Sequence, residues 1–348
     1  MTQDRAMRAM LGLCTAILAA AALHAGQSVI APIVFALFVI GLVWPVQQAV
    51  QSRISAGLAV VVTVIVTLVV VSGLALAIAW GFGRVAEWVV ANASRLQTLY
   101  LAKIEWLETR GVTGAGALAE QFDVRWLVRV AQGVLAQLQG IISFAVVTAV
   151  FVILGLLEVE QAGAQLSSLK AEKPGAQCVF DGLAASAAKL RRYMLVRTYA
   201  SILTGVLVYA FAYWMGLDLA AEWGVIAFVL NYIPFIGPLI ATVFPTMVGL
   251  LQFGSWQAVI TIFAALQVIQ FLIGSYLEPR LAGKRLSVSP FMVLVAVFLG
   301  AFLWGIPGAF IGVPALIAGL TLCDQFPETR WIAALFSGRV PDQGREPA

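Results

Sequence analysis

The sequence predicts an all-α, polytopic transmembrane helix bundle of about eight spans, with a re-entrant, Gly/Pro-broken helical hairpin in the C-terminal half and amphipathic helical arms between spans 3 and 4 and between spans 4 and 5. Three observations predict it. Hydrophobic residues make up 61% of the 348 and charged residues only 11%, against roughly a quarter charged in soluble domains, so a water-facing surface cannot be built. Apolar runs repeatedly approach the ~20 residues that cross a bilayer core as helix. Lys and Arg fall in the links between those runs and not in one patch, which is topology and not a nucleic-acid surface.

The first run is Ala9 to Ala25 and the second Val29 to Val46, turned between by Gly26, Gln27 and Ser28. Arg5, Arg8 and the small residues from Ala20 to Ala25 have the outline of a signal peptide, but a second run so close behind fits an uncleaved hairpin better. A polar link with Arg53 leads to the third run, Gly57 to Phe82, which at ~1.5 Å per residue exceeds the core and must tilt or protrude. Residues 1–83 thus form three N-terminal spans.

From 84 to 137 charges of both signs appear, with Val85, Trp88, Val89, Leu96, Leu99, Trp106 and Leu107 at helical steps. This is an amphipathic, extracytoplasmic arm, broken at Gly111 to Gly116 and capped again at Asp123. Either it packs on its own bundle or a neighbouring subunit, or it lies in the membrane interface. Residues 138–157 are the fourth span. A cytoplasmic amphipathic segment, 158–192, breaks at Pro174-Gly175, places Val179, Leu183, Ala187, Leu190 and Met194 on one face, and ends in Lys189, Arg191 and Arg192. Arg197, just inside the fifth run from Tyr193 to Gly216, reads as a snorkelling anchor.

Residues 193–325 form a C-terminal membrane region dense in Gly and Pro: Trp223 to Leu251, Trp256 to Leu277, Pro290 to Trp304 and Gly308 to Leu322, followed by a cytoplasmic tail, 326–348. Placing both termini, the Arg53 link, 158–192 and 278–289 in the cytoplasm puts two thirds of the 21 Lys and Arg inside. This holds only if Trp223 to Leu251 enters and leaves on one side. The charge rule therefore requires a re-entrant hairpin, bent at Pro234 to Pro238.

Backbone broken in mid-membrane is tolerated where it is buried in protein or lines a wet cavity. Asn231, Pro234, Gly237 and Pro238 form such a break, read either as a transport-site turn, with Gly237 free to take positive φ, or as a packing kink. Pro307, Gly308, Gly312 and Pro314 echo it, as the two halves of a repeat-built transporter would, and their runs are two spans or a second re-entrant hairpin. Gln267 and Gln270 share a helix face and either bridge helices or contact a solute. Glu278, Pro279, Arg280 and Lys284 are a solvated cap or an inner gate with a coupling carboxylate.

The order and spacing of Tyr232-Ile-Pro-Phe-Ile-Gly-Pro238, Glu278-Pro279-Arg280-Leu-Ala-Gly283-Lys284, Ser289-Pro290 and Gly300 through Pro314 resemble the AI-2E family of transporters, over about residues 5 to 336. The resemblance implies an oligomeric inner-membrane protein of bacteria, with proposed family roles from export of a signalling furanone to sodium/proton antiport. Many relatives carry an acid or amide just before the Pro279 position, where this chain has Ile273, Gly274 and Ser275. Glu278 would have to substitute, which weakens antiport.

The expected function is secondary or passive export of a small polar or amphiphilic solute through a path lined by the two breaks. A cation/proton antiporter and a non-transporting scaffold are the alternatives. An enzyme is not expected, since no HExxH, Ser/His pair or intramembrane Asp pair is present. No GxxxxGK[ST] loop cradles ATP. Cys14, Cys178 and Cys323 are too dispersed for a metal cluster or disulfide framework, no cofactor is expected, and His24 reads as a polar residue ending the first span. The partners are the lipid bilayer, a small-molecule or ion substrate and further copies of the chain, with no nucleic acid.

Overall fold

The structure, a computed structural model, describes residues 2–111, 125–172, 174–282 and 288–336. Among these the regular elements are all helices: α1 Thr2–Ala25, α2 Gln27–Gln51, α3 Ala56–Ala91, α4 Ala93–Glu108, α5 Arg125–Glu172, α6 Pro174–Trp214, α7 Ala220–Leu230, α8 Ile236–Phe253, α9 Trp256–Phe271, α10 Glu278–Ala282, α11 Pro290–Gln325 and α12 Arg330–Phe336. Seven helical stretches among the described residues are long and apolar enough to cross a bilayer. The chain is an all-α polytopic membrane protein. Asp123 and Lys284 lie outside the described residues.

Helices run through the points where composition changes, because i→i−4 bonding continues as readily in water as in lipid. Thus α3 carries the third run onward to Ala91, and α5 joins the end of the arm, the fourth run and the start of the cytoplasmic segment in 48 residues. The described part of α6 begins at Pro174, and the predicted break there falls at residue 173, outside the described residues.

The chain divides into two compact units, and α3, α5 and α6 contribute residues to both. The first contains residues 1–69, 144–195 and 282–348. Its core gathers Phe38, Ile40, Val152, Leu156 and Ile311, with Leu190 and Met194 packed against them. Val179 and Leu183, predicted to share that face, are exposed. The residues of α6 that meet α11 are instead Gly182, whose missing Cβ leaves room for Leu322, and Ser186, which donates to the Ala318 carbonyl at 3.3 Å.

Helix α11 is a hairpin of two helical halves. Trp304 and Gly305 leave helical geometry, Gly305 with φ of 63°, and the chain folds back so closely that a Cβ on Gly308 would strike the Gly300 carbonyl, and one on Gly312 that of Ala296. The hairpin tip is tied to the end of α1 by two reciprocal bonds. Trp304 Nε1 donates to the Leu23 carbonyl at 3.1 Å. His24 Nδ1 lies 3.0 Å from the Leu303 carbonyl, and since a carbonyl only accepts, Nδ1 carries the proton.

That second bond has a specific cause. Leu303 lies in the last turn before the helix breaks at Trp304 and Gly305, where a carbonyl has no N–H ahead of it to accept. In α2 the cause is a proline, since Pro45 removes the N–H partner of the Gly41 carbonyl. Arg191 Nη1 from α6 donates to that oxygen at 3.2 Å. His24, the polar residue that ends the first span, thus also serves a carbonyl of α11.

In a double-mutant cycle followed by thermal unfolding in detergent, Arg191→Leu should destabilise the wild type by about 1–3 kcal/mol. In a Pro45→Ala background, where the Gly41 carbonyl regains its backbone donor, most of that loss should vanish.

Candidate functional site

The second unit, residues 70–143 and 196–281, holds the first backbone break. Its core, Val208, Ala212, Trp223, Ile226, Ala241, Val248, Ile262 and Leu266, also takes in Val85 and Trp88 of α3. Leu96 of α4 packs beside Met247 and Leu251. This part of the arm thus lies on its own unit, and further along it Trp106 meets Trp256 with ring centroids 6.2 Å apart.

Helices α7 and α8 form a helical hairpin, with the turn at 231–235 and not at 234–238. Asn231, Tyr232 and Ile233 donate their amides back into α7, and Gly237 donates to Ile233. The two prolines sit where no N–H has to be satisfied: Pro234 in the turn and Pro238 in the first turn of α8. Pro238 would orphan the carbonyl of Pro234, but Ile236 N–H occupies it at 2.7 Å. That bond closes a tight γ-turn at Phe235, whose φ of 63° and ψ of −53° are rare for a bulky residue. The positive φ predicted for Gly237 therefore falls on Phe235. Gly237 is required for a different reason, since a Cβ there would overlap the Leu230 carbonyl.

Polar side chains hold this turn from α6. Arg197, Thr198 and Ser201 lie within little more than one helical turn of one another. Asn231 Nδ2 donates to Ser201 Oγ at 3.1 Å, and Tyr232 Oη donates to Thr198 Oγ1 at 2.9 Å. One turn further, Gly205 and Gly224 let α6 and α7 approach until a Cβ on either would crowd the other's carbonyl.

Arg197 does not snorkel. It is buried, with 7% of its side chain exposed against 20% for Glu278, and its Nη1 donates to both Glu278 oxygens at 2.6 and 2.7 Å. Glu278 is delivered by an irregular helix: Leu272–Leu277 forms a π turn, with Glu278 N–H reaching the Ile273 carbonyl. Pro279 follows at once, and widening the turn is how a helix absorbs a residue with no donor and a bulky ring. Pro279 and Arg280 are exposed, the latter's guanidinium 3.8 Å from the Tyr276 ring centroid.

The remaining predicted residues separate. Gln270 is buried and Gln267 exposed, so the two do not share a packed face. Gln270 Nε2 and Arg197 Nε are both buried without an acceptor. Gly308, Gly312 and Pro314 are buried and Pro307 half-buried in the first unit, whereas the Asn231–Glu278 cluster belongs to the second. Thr198, Ser201 and the burial of Arg197 were missed from sequence, although three polar residues so closely spaced inside an apolar run were the available signal.

The second unit also contains an apolar pocket of about 240 Å³, lined by the end of α3, α4, the start of α5 and the α7–α8 hairpin, with Phe82, Trp88, Val130, Trp223, Phe244 and Met247 among its walls. No wall residue has a buried, unpartnered polar side-chain atom. Such a space takes hydrocarbon and not a charged group.

Residues 13–328 match the family model described as AI-2E family transporter. The chain is 27% identical to the AI-2 transport protein TqsA of Escherichia coli (strain K12) over 336 residues, 94% of each chain. It is 25% identical to YhhT of the same organism, provisionally named a transport protein, over 93% of this chain and 91% of that one. A provisionally named transport protein of Borreliella burgdorferi is 36% identical over 138 residues, which is 39% of this chain and 38% of that one.

Replacing Glu278 by Met should leave the buried Arg197 charge unpaired and cost about 3–5 kcal/mol, while Glu278→Met combined with Arg197→Met should recover most of it. Unfolding midpoints of the three proteins in the same detergent provide the check.

Proposed function

The chain belongs to the AI-2E transporter family, and we propose that it exports a small polar or amphiphilic solute, by a secondary or passive route, through the α7–α8 break of the second unit. The observation that carries this is the built turn at 231–235, a strained backbone held by Asn231 and Tyr232 on a polar stretch of α6. Local strain of order 1–3 kcal/mol persists where the surroundings over-determine it, and it concentrates at functional sites. The apolar pocket beside the hairpin supports the amphiphilic end of the solute range.

The topology that goes with this reading is eight crossings with both termini cytoplasmic, in a homo-oligomer of the bacterial inner membrane. At ~1.5 Å per residue, the 11 residues of α7 cover only about half of a ~30 Å core, which supports a re-entrant hairpin. The α11 tip meets the end of α1, which supports two crossings there and not a second re-entry. A cation/proton antiporter needs a carboxylate free to exchange, and Glu278 is engaged by Arg197. Neither an enzymatic reaction nor ATP enters the proposal.

Proteoliposomes loaded with a panel of small polar and amphiphilic solutes, with and without sodium and proton gradients, should show efflux with the wild type. Pro234→Ala, which adds an N–H to the turn, and Gly237→Ala, which drives a methyl into the Leu230 carbonyl, should each lower it at least tenfold while leaving insertion intact. Undiminished efflux in both would remove the break from the pathway. A cysteine at Lys284 should react with impermeant maleimide only from the cytoplasmic side, and labelling from outside would refute the re-entrant hairpin.

A further inference from the structure

We propose that Arg197 is the anion-recognising group of this site, and that Glu278 holds its guanidinium only while the solute's carboxylate or phosphate is absent. The inference rests on the transport reading and names its substrate class, a solute carrying a small oxyanion.

A guanidinium inside a membrane-spanning helix requires a counter-charge. Where a carboxylate serves that purpose alone, the usual arrangement is a fork, two nitrogens on two oxygens. Here one nitrogen, Nη1, serves both Glu278 oxygens, and Nε–H is buried with no acceptor. The guanidinium is neutralised but not saturated. An unmet donor in a buried position is costly, and a ligand oxygen would remove that cost.

The two partners are also unequal. Glu278 is nearly three times as exposed as Arg197 and follows a π turn where the regular helical ladder is already interrupted. A carboxylate so placed can turn to water, whereas the arginine cannot leave the protein. The other nearby donors are spent: Asn231 Nδ2 on Ser201 and Tyr232 Oη on Thr198. The vacancy at Arg197 Nε is an N–H group that wants oxygen. A cation would find its only carboxylate in this cluster occupied.

The test is thermal unfolding of the full chain in detergent, with sodium acetate or inorganic phosphate titrated against sodium chloride at matched ionic strength. Wild type should gain midpoint with one or both oxyanions. Glu278→Gln should tighten the apparent Kd, about tenfold if the native pair is open a tenth of the time, and Arg197→Gln should abolish the response. Should Glu278→Gln fail to fold, Glu278→Asp, which keeps the charge but shortens its reach, should tighten binding in the same direction. No oxyanion-specific shift in the wild type or either Glu278 variant would overturn the proposal, as would an equal shift in Arg197→Gln. Solute efflux from a protein blind to both anions would overturn the anion site and leave transport standing. An anion response that needs Arg197, without efflux of any solute, would support the site and remove the transport reading.

Discussion

A peptide N–H or C=O that faces hydrocarbon has no solvent to bond with, and each one left free costs several kcal/mol. Helices meet that demand internally, but prolines undo it at one carbonyl each. In this chain two such carbonyls have visible substitutes: Arg191 serves Gly41 beneath Pro45, and Ile236 serves Pro234 beneath Pro238. A third, Leu303, is left free where the first half of α11 ends, and His24 serves it. These three contacts lie far apart in the sequence, and each meets a carbonyl that its helix leaves unpaired.

The candidate site is the same constraint carried further. In the α7–α8 turn the backbone is rerouted through a γ-turn, and the side chains that hold it come from α6. Once a polar stretch exists on α6, a charge can be kept there if it is paired. Arg197 and Glu278 are that pair, and the π turn before Pro279 brings the carboxylate to it. A buried pair is weak testimony to stability, because desolvation offsets attraction. Its value here lies in a guanidinium that is anchored but only partly used.

Much of this was legible in the sequence. The apolar runs, the Gly26 turn and both Gly/Pro breaks follow from run length, charge placement and the missing donor of proline. What escaped depended on partners distant in the chain. Arg197 reads as an anchor until Glu278, 81 residues away, is placed beside it. Gly237 invites a positive φ, yet the tight contact with Leu230 decides its role while Phe235 takes the strained geometry. Gln267 and Gln270 look paired by spacing, but only packing assigns one to the core. The continuous 48-residue α5 was hidden because polarity changes along it and helicity does not.

The most direct measurement is hydrogen–deuterium exchange of the full chain in lipid nanodiscs, comparing the amides of Asn231 to Gly237 with those of the exposed Arg53 to Ser55 turn. If the break is a built, buried structure held from α6, its amides exchange far more slowly than the exposed turn, and Ser201→Ala speeds them without affecting Leu207 to Phe211. Exchange at the break as fast as at Arg53 to Ser55 in the wild type would contradict the account.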